Sequence, residues 1–589
     1  MVLAPEPAAS ARKVDGLVVG ALLSALSVDF ALPLRRGLSL GLLVLVTLLT
    51  LPWARGVLRG GRAGPDASRS LEAWSFRIAV LALAAIVLGA KWWLLGESAT
   101  SPPEYFIGSS RSYAVALGLV LAVGTLGSGL RLTRFLALVS DHPARLIVLS
   151  FGAVGALGGL VLSLPVSMQR LHELSLIDNL FMAFSAVCVT GLSVNNLAAT
   201  YTWFGQGVLC LLIQIGGLGI MVLSAAIAFL TGQRLRVKSH AVFAELVDAE
   251  SLATLRRVIL GIVASTLVIE ALFGLVLYQR FTSGEVPPNP AIPADPAANA
   301  AWAAVFHAVS AFCNAGFSSF EPGLVPFVGD PVVMLSMTSL IVLGGIGFPV
   351  LQELAGRAWV AARRRRQQRM TLHARVALGS TALLLAGVTG AYLLLEWRSA
   401  FAELGWHERA LAALFHSASC RTAGFNVIDV GAMRPASLML TCVAMFIGAC
   451  PGSCAGGIKT TTFAVLFASL RSELQGRPAY LLDRELAPAT TRKAIGVAFS
   501  SFSLLSILLF LLLLVEAHPP LDLAFEVFSA FSTTGLSTGI TPDLSVAGKV
   551  LVLLTMYIGR IGPLTLAFAL SGRVEAARLQ LPNERVLIG

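Results

Sequence analysis

The chain has 589 residues, of which 56% are hydrophobic and only 13% are charged, and its formal net charge is +11. Because soluble domains carry about 25% charged residues, this composition excludes an ordinary soluble domain and predicts a polytopic membrane protein in a lipid membrane. The basic residues lie mostly between apolar runs, where the positive-inside rule accounts for them without a nucleic-acid partner. The seven cysteines are an odd number and lie mostly in apolar segments, which argues against a disulfide framework.

Residues 1–140 are predicted to form an N-terminal extension with about four transmembrane helices. A polar start precedes the first apolar run, and no small-residue cleavage site follows that run, so a first span is favoured over a signal peptide. A helix needs about 20 apolar residues to cross a bilayer. The candidate spans lie near residues 17–34, 37–54, 76–96 and 113–130.

The remaining chain is predicted to contain four repeats, each with an apolar helix, a re-entrant pore segment and a second apolar helix. The repeats cover residues 141–240, 241–366, 367–485 and 486–589. The first helices are expected near 145–164, 257–278, 374–395 and 494–515, and the pore segments near 179–193, 302–317, 410–426 and 521–537. The second helices are expected at 203–230, from Pro331 into AARRRRQQR, from residue 435 with an interruption, and at 547–570. The arginine cluster indicates an orientation signal at the membrane surface, with docking of an acidic or nucleotide-bearing partner as the alternative.

Two short motifs recur in register in all four repeats. The first reads FMAFSAVCVTGLS from Phe181, FHAVSAFCNAGFS from Phe306, FHSASCRTAGFN from Phe415 and FEVFSAFSTTGLS from Phe525. The second reads IGGLG from Ile215, LGGIG from Leu343, IGACPG from Ile447 and IGRIG from Ile558. Paired motifs that recur at one period mark an internal repeat, which predicts four copies of a small domain around an axis.

The glycine of the first motif indicates a pore. Each copy has its glycine after a short apolar stretch and before an apolar residue; these glycines are Gly191, Gly316, Gly424 and Gly535. Glycine adopts positive φ readily, and irregular backbone at membrane depth is tolerated only where it lines a cavity or is buried in protein. Four strands that meet at an axis can replace the water shell of an ion with carbonyl oxygens. We therefore predict a cation filter made of main-chain oxygens.

A break in the second helix of repeat three predicts a gate. The sequence GACPGSCAGGIKTTT lies where this helix should cross the middle of the bilayer, and its proline and glycines disrupt helices. It nearly imitates a phosphate-binding loop, but Ile458 separates Gly457 from Lys459 and no strand precedes it.

Because an intramembrane arginine is costly, we expect Arg560, at matching depth in repeat four, to form hydrogen bonds with the loop carbonyls and to repel cations; snorkelling is the alternative. The predicted gate residues are Gly448, Pro451, Gly452, Gly456, Gly457, Lys459 and Arg560.

These motifs resemble those of the Trk/Ktr/HKT superfamily of potassium transporters over roughly residues 141–589. The match includes MFIGACPGSCAGGIKTTT from Met445 and YIGRIGPLTLAFAL from Tyr557. The loop of the third repeat and the ending NERVLIG are similar to the bacterial KtrB branch, whereas the long N-terminal extension is nearer to the TrkH-like layout. The resemblance implies an all-α polytopic fold of four pseudo-symmetric helix–pore loop–helix repeats in the cytoplasmic (inner) membrane of a bacterium. It also implies a homodimer gated by a cytosolic nucleotide-binding regulatory ring similar to TrkA or KtrA.

In this superfamily, a glycine in every filter strand goes with potassium selectivity, and a serine in the first strand goes with sodium. The resemblance therefore implies that the chain transports K+ and binds no cofactor, with a sodium-coupled or sodium-permeable version of the same pore as the alternative. It implies K+ binding only at the filter residues, which are Val189, Thr190, Gly191, Asn314, Ala315, Gly316, Thr422, Ala423, Gly424, Thr533, Thr534 and Gly535.

A membrane-embedded enzyme is a competing class of function. His307 and His416 occupy the same place on two pore segments, as paired catalytic groups would. Met182 and Glu526 occupy that place in the other two repeats, so a symmetric catalytic pair is not evident. The histidines are expected instead to cap or pack against neighbouring helices.

Overall fold

The computed structural model describes residues 143–169, 174–219, 252–363 and 369–563, apart from residues 285, 288, 293, 294 and 322. The chain divides into two compact units, and the described residues lie almost wholly in the second, which comprises Leu136–Leu162, Ser167–Arg170 and Leu174–Gly589. The predicted N-terminal extension lies outside the described residues. So do most of the arginine cluster and the far ends of the second helices predicted for repeats one and four.

Repeat one contains the helices α1 (Pro143–Leu162), α2 (Leu176–Val187), α3 (Leu197–Thr200) and α4 (Trp203–Gly217). The pore helix α2 begins at a capping box, in which the side chains of Ser175 and Asp178 each accept a hydrogen bond from the other's backbone N–H. This helix has 12 residues, whereas crossing a bilayer takes about 20. It therefore enters the membrane only part-way, as a re-entrant segment does.

Repeat two contains the helices α5 (Leu252–Ser283), α6 (Pro296–Phe312), α7 (Pro331–Gly345) and α8 (Phe348–Ala362). The second helix was expected to run unbroken into the arginine cluster, and this prediction is wrong, because α7 and α8 are bent by 107°. At the bend, Gly347 has a φ of +91°, and the Phe348 N–H donates to the Gly452 carbonyl at 3.0 Å. Pro349 then lies in the first turn of α8, where proline is tolerated.

Repeat three contains the helices α9 (Leu372–Glu396), α10 (Trp406–Ser419), α11 (Pro435–Phe446) and α12 (Thr460–Gln475). The predicted interruption of its second helix is present between α11 and α12. An antiparallel hairpin follows, formed by β1 (Tyr480–Leu481) and β2 (Arg484–Glu485), and it was not predicted from the sequence. At the hairpin turn, Asp483 pairs with Arg375 at 2.7 Å, and this hydrogen bond lowers the pKa of the Asp483 carboxylate.

Repeat four contains the helices α13 (Pro488–Val515), α14 (Pro520–Ser532) and α15 (Val546–Ile561). In every repeat, the first helix packs against the pore helix. The first phenylalanine of each pore motif is fully buried; these residues are Phe181, Phe306, Phe415 and Phe525. By contrast, the outer helices expose leucines, such as Leu383 at 75% and Leu514 at 67%. A buried pore-helix core behind apolar outer surfaces is the arrangement that a membrane requires.

Three of the helices that the structure describes are long and apolar enough to cross a bilayer, and the bent pair α7–α8 would be a fourth. The described elements are helices apart from the small hairpin. The structure thus agrees with the predicted all-α fold of four helix–pore–helix repeats.

Candidate functional site

The four pore glycines lie in a closed ring. A Cβ atom added to any of them would meet a main-chain carbonyl oxygen of the next repeat, and repeat four closes onto repeat one. The distance from the added Cβ to that oxygen is 2.4 Å for Gly191 and Ala315 O, and 2.7 Å for Gly316 and Ala423 O. It is 2.1 Å for Gly424 and Thr534 O, and 2.0 Å for Gly535 and Thr190 O. Any larger residue would push the strands apart, so the ring can be this narrow only because these positions are glycine.

The ring strands share one unusual backbone conformation. Each glycine has a positive φ: +94° at Gly191, +70° at Gly316, +78° at Gly424 and +94° at Gly535. The residue two places earlier also has a positive φ: Val189 at 57°, Asn314 at 60°, Thr422 at 74° and Thr533 at 51°. Positive φ is uncommon outside glycine and strained for β-branched residues, and such strain persists only where the surroundings enforce it. The residue between them keeps an ordinary φ, so left-handed and ordinary backbone conformations alternate along each strand.

A serine on each pore helix holds its strand in place. In repeats one and four, the serine hydroxyl accepts a hydrogen bond from the ring glycine; the pairs are Ser185 with Gly191 N at 3.1 Å and Ser529 with Gly535 N at 3.0 Å. In repeats two and three, the serine hydroxyl donates to the carbonyl of the residue after the ring glycine; the pairs are Ser310 with Phe317 O at 2.8 Å and Ser419 with Phe425 O at 2.5 Å. These serines were not predicted as site residues from the sequence, although a serine recurs at this place in all four motifs.

Several hydroxyls along the strands are buried without a partner. The Oγ1 atoms of Thr190, Thr422, Thr533 and Thr534 make no hydrogen bond with any residue that the structure describes. Buried polar groups are normally hydrogen-bonded, so these oxygens add to the acceptors that the strands supply. Carbonyl and hydroxyl oxygens together form a chemically suitable lining for a dehydrated hard cation.

The pore helices end abruptly at the ring. Cys188, Cys313 and Cys420 are the C-cap residues of α2, α6 and α10, and all three are buried. In each case the cysteine N–H closes the last helical turn, as in the 2.8 Å bond from Cys188 to Phe184 O. The cysteines therefore mark the point where helix changes to strand.

The interrupted segment of repeat three, residues 447–459, lies against the base of the fourth strand. A Cβ on Gly456 would be 2.2 Å from Thr533 Oγ1 and 2.5 Å from Ser532 O. The segment closes on itself through a parallel bridge between Ile447 and Ile458, and Lys459 Nζ donates to Ala455 O at 2.6 Å.

Repeat two supports the same segment from the side. Cys450 N–H donates to Gly345 O at 2.9 Å, and Cys454 N–H donates to Gly344 O at 3.3 Å. A Cβ on Gly347 would lie 2.4 Å from Pro451 O. The bend between α7 and α8 therefore lies against Pro451 and Gly452.

Arg560 links the segment to two other repeats. Its guanidinium donates to the Cys454 carbonyl, as the sequence predicts, and also to the Gly216 carbonyl at the end of α4. The carbonyls of the last helical turn lack intrahelical partners, and a cation there is favoured by the helix dipole. Arg560 therefore connects repeats one, three and four on the side of the ring where the pore helices end.

The second glycine motif has a packing role that was not predicted from the sequence. In three repeats, a Cβ on its first glycine would collide with a carbonyl in the last turn of the pore helix; the pairs are Gly216 with Val187 O at 2.1 Å, Gly344 with Phe312 O at 1.8 Å and Gly559 with Phe531 O at 1.9 Å. In repeat three, Gly448 instead meets Gly456 O at 2.1 Å. The motif thus lets the second helix touch its pore helix, and the interrupted segment takes that place in repeat three.

Comparison with known proteins decides the family. The family model TrkH, described as a cation transport protein, matches residues 136–579. The chain belongs to the TrkH family. The Ktr system potassium uptake protein B of Bacillus subtilis (strain 168) is 34% identical over 450 residues, which cover 76% of this chain and 97% of that protein. The same-named protein of Vibrio alginolyticus is 37% identical over 448 residues, which cover 76% of this chain and 94% of that protein.

The chain is also similar to a third curated protein and to a solved structure. The potassium/sodium uptake protein NtpJ of Enterococcus hirae is 34% identical over 456 residues, which cover 76% of this chain and 97% of that protein. The crystal structure of the potassium transporter TrkH from Vibrio parahaemolyticus superposes with a TM-score of 0.56 at 17% identity, covering 84% of this chain and 98% of that one. That likeness shows the fold. This TrkH-family chain is therefore a multi-pass membrane transporter and not an enzyme.

Proposed function

We propose that this TrkH-family protein takes up potassium across the cytoplasmic membrane of a bacterium through the ring of main-chain carbonyls. The single observation that carries the proposal is the closure of the ring, in which each glycine contacts a carbonyl of the next repeat. Four strands in this conformation can replace the water shell of K+ with protein oxygens. The names of the Ktr relatives, which are potassium uptake proteins, support the choice of ion.

Entry of the cation is driven by the membrane potential, which contributes about 2.3 kcal/mol per charge per 100 mV. The four pore helices end at the ring, so the negative ends of their dipoles favour a cation there. No bound cofactor is needed for this mechanism, and K+ is the cargo. The twelve strand residues from Val189 to Gly535 act as the filter.

The proposed gate is residues 447–459 together with Arg560. Gly456 touches the base of the filter, and Arg560 holds the segment through the Cys454 carbonyl. The positive charges of Arg560 and Lys459 oppose cation passage until the segment moves. The superfamily resemblance implies that the protein forms a homodimer. A cytosolic nucleotide-binding regulatory ring bound to this dimer would move the segment.

Growth of a potassium-uptake-deficient bacterium at low potassium tests the proposal. The wild-type chain should restore growth. The Gly191→Ser variant should not, because its Cβ would lie 2.4 Å from Ala315 O at a φ of +94°. Failure of the wild-type chain, produced in the membrane at normal levels, would contradict potassium uptake.

A sodium-coupled or sodium-permeable pore is the second candidate, and the name of the potassium/sodium uptake relative favours it. Fluxes into proteoliposomes under separate K+ and Na+ gradients distinguish the two. Potassium flux without sodium supports the first candidate. Sodium flux of similar size, or potassium flux only when sodium is present, supports the second.

A further inference from the structure

One position of the pore motif carries a methionine in repeat one, a histidine in repeats two and three, and a glutamate in repeat four. It follows the first phenylalanine of each pore motif, and its occupants are Met182, His307, His416 and Glu526, all fully buried. If this position only filled space, an apolar side chain would serve in every repeat. Ionisable groups at membrane depth are costly and tend to be functional.

In repeat four, Glu526 is connected to the strand that leaves the ring. Its Oε1 accepts a hydrogen bond from the Thr541 hydroxyl, and Thr541 Oγ1 lies 3.0 Å from Ser537 Oγ. Ser537, two residues beyond Gly535, also accepts from the Gly539 N–H at 3.0 Å. Glu526 Oε2 has no hydrogen-bond partner within the described ranges. The carboxyl group thus holds the outer part of the fourth strand through a chain of hydroxyls.

In repeat two, His307 makes the equivalent connection. Its Nδ1 lies 2.8 Å from Ala303 O, and its Nε2 lies 2.9 Å from Ser318 Oγ, two residues beyond Gly316. A carbonyl can only accept, so Nδ1 carries the hydrogen, and Nε2 of the neutral ring accepts from the serine hydroxyl. Phe320 stacks on the imidazole with a centroid separation of 4.5 Å, which fixes the ring in place.

Among the described residues, repeats one and three show no equivalent connection. Met182 offers Ser193 only a thioether sulfur at 3.5 Å, which is a weak acceptor. Neither ring nitrogen of His416 has a hydrogen-bond partner in the part of the chain that the structure describes. His416 instead packs edge-on against Tyr392 at 4.8 Å. Since the ring closes in chain order, repeats two and four face each other across the axis, and so do their two connections.

We infer that Glu526 and His307 are opposed braces that fix the outer part of the ring and thereby set its discrimination of K+ against Na+. The inference rests on the proposed filter. A ring of carbonyls rejects the smaller ion only if the strands cannot close around it, and each brace restrains one strand from moving inward. Glu526 and His307 are positioning residues, because they act through Ser537 and Ser318 and do not touch the ion.

The test uses the full-length protein in proteoliposomes and measures K+ and Na+ fluxes separately. Glu526→Ala should lower the ratio of K+ to Na+ flux by about threefold to tenfold, since it removes one hydrogen-bonded brace, while K+ still passes. Glu526→Gln should keep the ratio, because its amide oxygen can accept from Thr541. Met182→Leu, at the same position in an unbraced repeat, is the matched control and should also keep the ratio.

The outcomes separate the inference from the function on which it rests. A wild-type protein without potassium preference would contradict the proposed function. A potassium-selective wild type whose ratio is unchanged in Glu526→Ala, or lost equally in Glu526→Gln, would overturn the brace alone. Because Glu526→Ala can fail to fold, Ser318→Ala removes the opposite brace with little change of volume. It should lower the ratio in the same direction, and an unchanged ratio would also overturn the inference.

Discussion

Alanine at position 535 perturbs the ring at its tightest contact. Its Cβ would lie 2.0 Å from Thr190 O and 3.0 Å from Gly191 Cα, and both atoms belong to the backbone. A relaxed carbon–oxygen contact is about 3.3 Å, so the two strands must separate by about 1 Å. The left-handed conformation costs a residue with a Cβ a further 1–2 kcal/mol, roughly. Together these effects should cost at least about 2 kcal/mol, which corresponds to roughly a 30-fold loss of potassium uptake.

Potassium uptake by proteoliposomes that contain purified protein measures this effect, with elution as a single folded species as the check on integrity. Gly387→Ala in α9 is the matched control, because no described atom lies within 4 Å of its added Cβ. Gly316→Ala, whose Cβ would be 2.7 Å from Ala423 O, should be less severe than Gly535→Ala. A folded Gly535→Ala protein with wild-type uptake and ion preference would refute the reasoning.

Three further predictions concern the parts around the ring. Arg560→Gln weakens the bond that holds the Cys454 carbonyl and removes a positive charge, so unregulated uptake into proteoliposomes should rise several-fold. Gly344→Ala places a Cβ 1.8 Å from a pore-helix carbonyl and should lower the free energy of unfolding by about 1–3 kcal/mol, as overpacking does, seen as a lower melting temperature in detergent. Lys549→Met breaks the 2.8 Å pair with Asp178 and should cost about 1 kcal/mol in the same assay, because the half-buried Asp178 carboxylate loses its charged donor and keeps only its bonds to Ser175.

Each of these variants has a control in the chain. Arg471→Gln changes an exposed arginine of α12 and should not alter uptake; a gain equal to that of Arg560→Gln would argue against the gate. Gly356→Ala has no described neighbour within 4 Å and should melt like the wild type, and equal stability of Gly344→Ala would count against close helix contact. For the ion pair, Asp178→Asn combined with Lys549→Met should cost less than the sum of the single changes, and strict additivity would show that the pair contributes nothing.

The sequence alone located the ring because repetition substitutes for structural information. One glycine before an apolar residue is ordinary loop chemistry, but Gly191, Gly316, Gly424 and Gly535 recur in register with a second motif. The contact of Arg560 with the interrupted segment was predictable for a similar reason. A guanidinium group at membrane depth needs hydrogen-bond acceptors, and an interrupted helix has carbonyl groups that are free to accept.

Features that depend on distant contacts were not predictable. The bend between α7 and α8 is stabilised by the hydrogen bond from Phe348 to Gly452 in another repeat, and local propensity carries no trace of that partner. The role of Gly344 depends on its approach to Phe312 O, which is visible only when the helices are packed. The unequal bracing by His307 and Glu526 likewise appears only once Ser318 and Thr541 are placed beside them.

The account depends most on the claim that the ring oxygens bind a dehydrated monovalent cation. Anomalous diffraction from crystals grown with thallium(I), which replaces K+ and scatters strongly, would locate such an ion directly. The account predicts a peak on the axis between the carbonyls of Thr190, Ala315, Ala423 and Thr534, absent in Gly535→Ala crystals. Thallium bound elsewhere in a transport-competent protein, with no peak inside the ring, would contradict it.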